Sequence, residues 1–128
     1  MPASPGTSGA ALIFDLNGQS QGTAVAHAER DSGFTLNEPG FYAADFHGTV
    51  APVSGANFPL NLLFSIDQDG TPVPGAAAQH TFHTSGENAN IAFGTTISVT
   101  KAPSTLTVIG QGGTFLYSDV GMNIYKIG

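Results

Sequence analysis

Hydrophobic and polar residues alternate along several segments of this chain with the period of two that is typical of β-strands. The alternation is cleanest at residues 60–66 and 91–99, and it recurs at 42–50. Because successive side chains of a strand point to opposite faces, each segment is expected to bury one set of its apolar residues. The predicted core contains Phe14, Tyr42, Phe46, Leu62, Phe64, Phe93, Ile97 and Val108.

Shorter apolar segments between turn residues predict further strands. They lie at 12–16 (Leu12, Phe14 and Leu16 on one face, Ile13 and Asp15 on the other), 23–28, 33–36, 80–83, 105–109 and 115–127, the last a strand pair broken near 119–121. Turns are predicted at 37–40, 69–70 and 110–113, and residues 71–75 are expected to lead away from a hairpin. With 17 glycines and 8 prolines no long helix is expected. The pattern predicts an all-β fold, a sandwich or jelly roll of about eight to ten short antiparallel strands.

The 128 residues correspond to one domain by length. Residues 2–9 are all small or turn-forming, and we expect residues 1–9 to be a flexible leader, with the folded domain at 10–128. Gly6 and Gly9 are three residues apart, as they would be in the last step of a collagen repeat. Nothing in the printed sequence resembles a signal peptide or a membrane-spanning run.

The charge of the chain excludes two classes of partner. Only Arg30, Lys101 and Lys126 are basic against nine acidic residues, which gives a formal net charge of −6. Three cations cannot neutralise a row of phosphates, so neither nucleic acid nor an anionic membrane is an expected partner. Charged residues make up 9% of the chain, against roughly 25% in an average domain. The surface is therefore covered by uncharged polar residues, or part of it is buried against copies of the chain.

The four histidines do not predict a metal site within one chain. They are His27, His47, His80 and His83. In a strand, His80 and His83 point to opposite faces. Copies of one histidine meeting on a threefold axis remain a minor alternative to solvated histidines, and no cofactor is expected.

The segment Asp67-Gln68-Asp69-Gly70 superficially resembles a calcium-binding loop. An EF-hand loop that began at Asp67 would need glutamate at its twelfth position, where this chain has Ala78. A hairpin turn is the favoured interpretation, although a calcium site of another geometry stays open.

No catalytic motif is present. The sequence has no Gly-x-Ser-x-Gly elbow and no phosphate-binding glycine loop followed by Lys-Ser or Lys-Thr. Ser54-Gly55 and Ser85-Gly86 are predicted to be turns. The chain is therefore expected not to be an enzyme, without catalytic or metal-ligating residues.

Three segments together resemble a known family. They are 33–42 (GFTLNEPGFY), 64–75 (FSIDQDGTPVPG) and 104–128. The third segment is predicted to consist of a strand, a glycine-rich turn and a final apolar strand that closes with a lysine. They are similar to the C-terminal jelly-roll domain of bacterial collagen-like glycoproteins of the spore surface (exosporium), within the complement-head and tumour-necrosis-factor-like superfamily. The resemblance covers residues 10–128, although this chain has more Phe, His and Asn. It implies a TNF-like jelly roll of ten strands, a tight trimer and a collagen stalk at the N-terminus.

The sequence itself also favours oligomerisation. Phe41 and Tyr42 lie on opposite faces of one predicted strand, and Leu63 lies opposite Leu62 and Phe64. A strand that is apolar on both faces is expected to be covered on both. The predicted trimer interface contains Phe41, Tyr42, Tyr117 and Tyr125.

Two functions follow from these expectations. The first is a trimerisation and surface-presentation head of a collagen-like filament on the bacterial cell or spore surface, outside the cell. The alternative is a lectin-like or receptor-binding tip of a bacterial or phage fibre, in which case the partner would be a glycan or a surface receptor. Tyr117-Ser118-Asp119 and residues 88–90 are the candidate glycan contacts, because an aromatic ring beside Asp or Asn suits a sugar.

Overall fold

The computed structural model describes residues 4–14, 25–26 and 32–128, and these residues form strands, turns and loops without a helix. No helix long and apolar enough to cross a membrane occurs in that part of the chain. The strands are β1 (Ser4–Gly6), β2 (Val25–Ala26), β3 (Phe34–Leu36), β4 (Gly40–Pro52), β5 (Leu60–Gln68), β6 (Thr71–Phe82), β7 (Ala89–Val99), β8 (Ser104–Gln111) and β9 (Phe115–Lys126).

The strands form two antiparallel sheets, a four-stranded sheet in the order β1-β9-β4-β7 and a five-stranded sheet in the order β2-β3-β8-β5-β6. When β2 is set aside, eight strands remain, and they pair as first with last (β1 with β9), second with seventh (β3 with β8), third with sixth (β4 with β7) and fourth with fifth (β5 with β6). A long hairpin that is wrapped around a core gives this nesting of pairs. The fold is therefore the predicted all-β jelly roll.

The core lies between the two sheets and is rich in phenylalanine. Seven of the eight predicted core residues are buried, whereas Phe93 is only half-buried and packs against the core. The Phe14 ring meets the rings of Phe34 and Phe46 edge-on, with centroids 5.0 and 6.1 Å apart. Edge-to-face pairs of this kind add to the gain from burial.

The predicted hairpin at Asp69-Gly70 is confirmed. Gln68 pairs with Thr71, and both turn residues have positive φ, 51° at Asp69 and 85° at Gly70. This is a two-residue turn of type I′, for which Asp-Gly is a favoured sequence. The carboxylate of Asp69 also accepts hydrogen bonds from the backbone of Thr105 (2.9 Å) and the hydroxyl of Ser104 (2.8 Å), which joins the turn to the start of β8.

Several sequence-based assignments differ in the structure. Leu12 and Ile13 lie outside any strand, although a strand was predicted at 12–16. Gly110 and Gln111 belong to β8 and not to the predicted turn at 110–113. Residues 71–75 do not lead away from the hairpin but belong to β6, because an edge strand tolerates Pro72 and Pro74. The 115–127 segment is one strand rather than a pair, with an irregularity where β4 passes from His47 to Thr49. Ser4–Gly6, assigned to the flexible leader, form β1 and pair with β9. The predicted strand residues Asp15, Leu16, 23–24 and 27–28 lie outside the described residues.

The registers place the connections at two opposite ends of the sandwich. One end, here called the loop end, holds residues 53–59, 83–88 and 112–114, since Pro52 pairs with Phe115, Val50 with Ala89 and Leu60 with Phe82. The opposite end holds residues 37–39, the hairpin turn at 69–70 and residues 100–103.

Candidate functional site

The outer faces of the two sheets differ in chemistry. The five-stranded sheet presents mainly hydroxyl and amide side chains, in the order of the chain Thr35, Asn61, Ser65, Gln79, Thr81, Thr105, Thr107 and Gln111, with Leu63 and Ile109 among them. The four-stranded sheet presents a mixture of small or apolar side chains, in particular Phe41, Ala43, Ala92, Gly94, Leu116, Gly121 and Tyr125, and polar ones, among them Thr49, Asn90, Thr96, Ser98 and Asn123. Its outer face therefore carries a smaller share of polar side chains than that of the five-stranded sheet.

An apolar patch lies at one end of this outer face and consists of Phe41, Tyr125 and Ile127. Their side chains are 53%, 49% and 54% exposed. The Ile127 N–H donates to the Phe41 carbonyl at 2.8 Å, which places these residues side by side, and Tyr125 pairs with Ala43 one step further along β4. The strand alternation then directs all three side chains to the same face.

The centre of the face is flat. Asp45 pairs with Gly94 and His47 with Gly121. A Cβ atom at Gly94 would collide with the Asp45 carboxylate, and one at Gly121 would collide with the His47 imidazole. Both side chains therefore lie across the neighbouring strands rather than standing up from the sheet. Only these two titratable side chains occupy the centre of the outer face that β4, β7 and β9 form.

A shallow groove of about 200 Å³ lies further along the same face, beside the irregularity in β9. Its polar lining consists of His47, Thr49, Asn90 and Asp119, and the Thr49 hydroxyl donates to Asn90 Oδ1 at 3.0 Å. The structure thus brings together Asn90 and Asp119, two of the predicted glycan contacts. Asn88 and Ser118 do not line the groove.

Two of the four predicted interface residues are in the core of the chain instead. Tyr42 is fully buried and its hydroxyl donates to the Glu38 carbonyl at 2.7 Å. Tyr117 is 6% exposed, and its hydroxyl accepts the Ile13 N–H at 3.0 Å, so it cannot serve as the predicted aromatic platform for a sugar. Phe41 and Tyr125 are the exposed members of the set. The predicted interface did not include Ile127. Continuing the alternation of β9 by two residues beyond Tyr125 would have included it.

Several of the histidines and aspartates considered for metal binding make other contacts. The His80 ring packs against that of Phe82 with centroids 4.6 Å apart, and His27 lies outside the described residues. Both Asp69 oxygens already accept hydrogen bonds, and the largely buried Asp67 accepts one from the Ser65 hydroxyl at 3.0 Å. Nowhere in the described ranges do three or more His, Cys, Asp or Glu side chains come together.

The predicted serine-glycine turns are both present at the loop end. The Ala56 N–H donates to the Val53 carbonyl around Ser54-Gly55, and the Glu87 N–H donates to the Thr84 carbonyl around Ser85-Gly86. In the second turn, Glu87 Oε1 accepts the backbone N–H groups of His83 and Thr84 at 2.6 and 2.7 Å. These hydrogen bonds hold the pKa of the Glu87 carboxyl below its usual value.

No protein-family model matches the sequence, and no curated protein matches it either. Among solved structures, the chain is similar to one described as the EclA C-terminal domain, a sugar-binding protein. The TM-score is 0.44 at 15% sequence identity, and the match covers 91% of this chain and 79% of that one. This degree of similarity carries no argument about what the present chain binds.

Proposed function

We propose that this domain is the non-enzymatic head of a collagen-like protein on the outer surface of a bacterial cell or spore, and that it assembles as a homotrimer through the outer face of its four-stranded sheet. The observation that supports the proposal is the apolar patch of Phe41, Tyr125 and Ile127 at the end of a flat face with little charge. Neighbouring exposed apolar side chains of this kind are typical of sites of association.

The size of the face agrees with this role. β4 and β7 pair over 11 residues, from Gly40–Val99 to Val50–Ala89. Eleven residues on three strands cover roughly 37 Å by 14 Å, or about 500 Å². One partner of a standard interface contributes about 800 Å². The face therefore supplies most of one partner's share.

The collagen-like stalk, the surface location and the choice of three copies are supported by the resemblance of residues 33–42, 64–75 and 104–128 to the spore-surface domains. The jelly-roll topology is the fold that this resemblance implies. A threefold ring is closed by head-to-tail contacts, in which the patch of one chain meets a different surface of the next.

The test is the mass of the chain in solution, measured by light scattering after size exclusion at micromolar concentration. The expected mass is three times the chain mass of 13.0 kDa. Phe41→Asp and Tyr125→Asp should each dissociate the assembly, because an unpaired buried carboxylate is costly. Leu63→Asp is the matched control: Leu63 is 39% exposed, but on the outer face of the other sheet. A single-chain mass for the unaltered protein, or dissociation by Leu63→Asp alone, would refute the proposed interface.

A further inference from the structure

A cleft of about 580 Å³ opens at the loop end of the sandwich, away from the apolar patch. It lies between the β4–β5 loop and the Gly112-Gly113-Thr114 turn that joins β8 to β9. Its volume falls within the range of small-molecule sites, roughly 300–1,000 Å³. All of its lining belongs to one chain, so a ligand would need no second copy.

The turn comes close to the start of β5 because of its glycines. Gly112 has a φ of 119°, and a Cβ atom there would collide with the carbonyl of Asn61. At Gly113 an added Cβ would lie 3.0 Å from the Leu60 side chain. The wall of the cleft on this side is therefore largely backbone, and the Gly112 N–H donates to the Ser8 hydroxyl at 3.1 Å, which holds the turn in place.

The side chains that line the cleft carry no charge. Asn57, Asn61 and Thr114 supply amide and hydroxyl groups, and Val53, Pro59 and Leu60 supply aliphatic surface. The Thr81 hydroxyl donates to Asn61 Oδ1 at 3.2 Å, which orients this amide and leaves its Nδ2 to donate elsewhere.

This lining determines the chemistry of the ligand. A phosphate, a carboxylate or a metal ion would find no opposite charge in the cleft, and the net charge of −6 disfavours polyanions. Amides both donate and accept hydrogen bonds, as do the hydroxyl groups of a sugar. The aliphatic residues suit the C–H face of a pyranose ring. From these features, we infer that the loop-end cleft is a binding site for an uncharged saccharide.

The test is an array of neutral, sialylated and sulfated glycans, followed by isothermal titration of the full chain with the soluble form of the best neutral oligosaccharide. Binding to neutral glycans is expected. Asn57→Ala and Asn61→Ala should each weaken it about tenfold, since each removes a hydrogen bond to the ligand. Gln79→Ala is the matched control, because Gln79 is an exposed amide on the outer face of the five-stranded sheet and outside the cleft. It should leave the dissociation constant within a factor of two.

Three outcomes would overturn the inference. The first two are no binding to any neutral glycan and binding only to charged glycans. The third is that Asn90→Ala loses binding while Asn57→Ala and Asn61→Ala keep it, which would place the site in the groove beside β9. The result is separable from the trimer. Phe41→Asp should abolish the trimeric mass and keep the affinity per chain, whereas Asn57→Ala and Asn61→Ala should do the reverse.

Discussion

Phe64 illustrates how a single side chain supports the core. It is fully buried, and its ring packs edge-on against that of Phe115 with centroids 5.2 Å apart. Phe64→Ala is expected to lower the free energy of unfolding by about 3–5 kcal/mol, because it combines lost transfer energy with a cavity. The measurement is a urea titration followed by circular dichroism.

The neighbouring Leu63 provides the control for that measurement. Its side chain is 39% exposed and lies on the other face of β5. Leu63→Ala should change the free energy of unfolding by less than about 1 kcal/mol. If Phe64→Ala and Leu63→Ala lower the free energy of unfolding equally, the assignment of Phe64 to the buried face and Leu63 to the exposed face of β5 is wrong.

At the scale of the residue, alternation predicts which side chains share a face but does not say how far each face is covered. Tyr42 and Tyr117 were expected at an interface because they are aromatic and obligate interfaces resemble a protein core. In the structure their hydroxyls bond to the Glu38 carbonyl and the Ile13 N–H, so both rings can be buried within the chain. Such partners lie 4 and 104 residues away, and the distant one leaves no local signal in the sequence.

At the scale of the element, β9 shows why its pattern was misread as two strands. Phe115 and Tyr117 are buried, as are Met122 and Ile124, so the buried positions change from odd to even numbers. β9 has Asp119 and Val120 where β4 has only Gly48, between the pairs His47–Gly121 and Thr49–Ser118. This is a β-bulge, and it keeps both halves of the strand on the core side.

The bulge leads to a paired prediction. Deleting Asp119 would leave Tyr117 and Met122 four positions apart, as a regular strand requires, so the fold should be retained. Deleting both Asp119 and Val120 would turn Met122 and Ile124, each 4% exposed, to the outer face. At about 1.5–3 kcal/mol for each side chain, the second variant should lose about 3–6 kcal/mol more than the first. Thermal unfolding followed by circular dichroism compares them, and equal stability of the two variants would contradict this account of the bulge.

β6 was underestimated for a related reason. Pro72 and Pro74 mark turns in most contexts, but β6 is the edge strand of its sheet, where a missing N–H need not break a ladder. Whether a strand is an edge strand depends on the order of the sheet, which the local pattern does not contain.

At the scale of the whole molecule, the fold class was readable because the alternation recurs in segment after segment. The candidate surfaces could not be predicted from the sequence, because they depend on which strands become neighbours in the sheets. The apolar patch joins the start of β4 to residues 125–127, and the cleft joins the 53–59 loop to the 112–114 turn. Asn90 and Asp119 were singled out from the sequence for their chemistry, but only the sheet order brings them into one groove.

The last prediction concerns the stalk and rests on the proposed trimer. Ten Gly-Pro-Pro repeats fused ahead of the chain should form a collagen triple helix that refolds at a rate independent of protein concentration, because an assembled head holds the three stalks together at a high effective concentration. The same fusion carrying Phe41→Asp should refold more slowly and in a concentration-dependent way, whereas the fusion carrying Leu63→Asp should behave like the unaltered one. The signal is the positive circular dichroism band of the triple helix after a temperature drop. If the Phe41→Asp fusion refolds as fast as the unaltered fusion at every concentration, the patch does not hold the three chains together and the head does not nucleate the stalk.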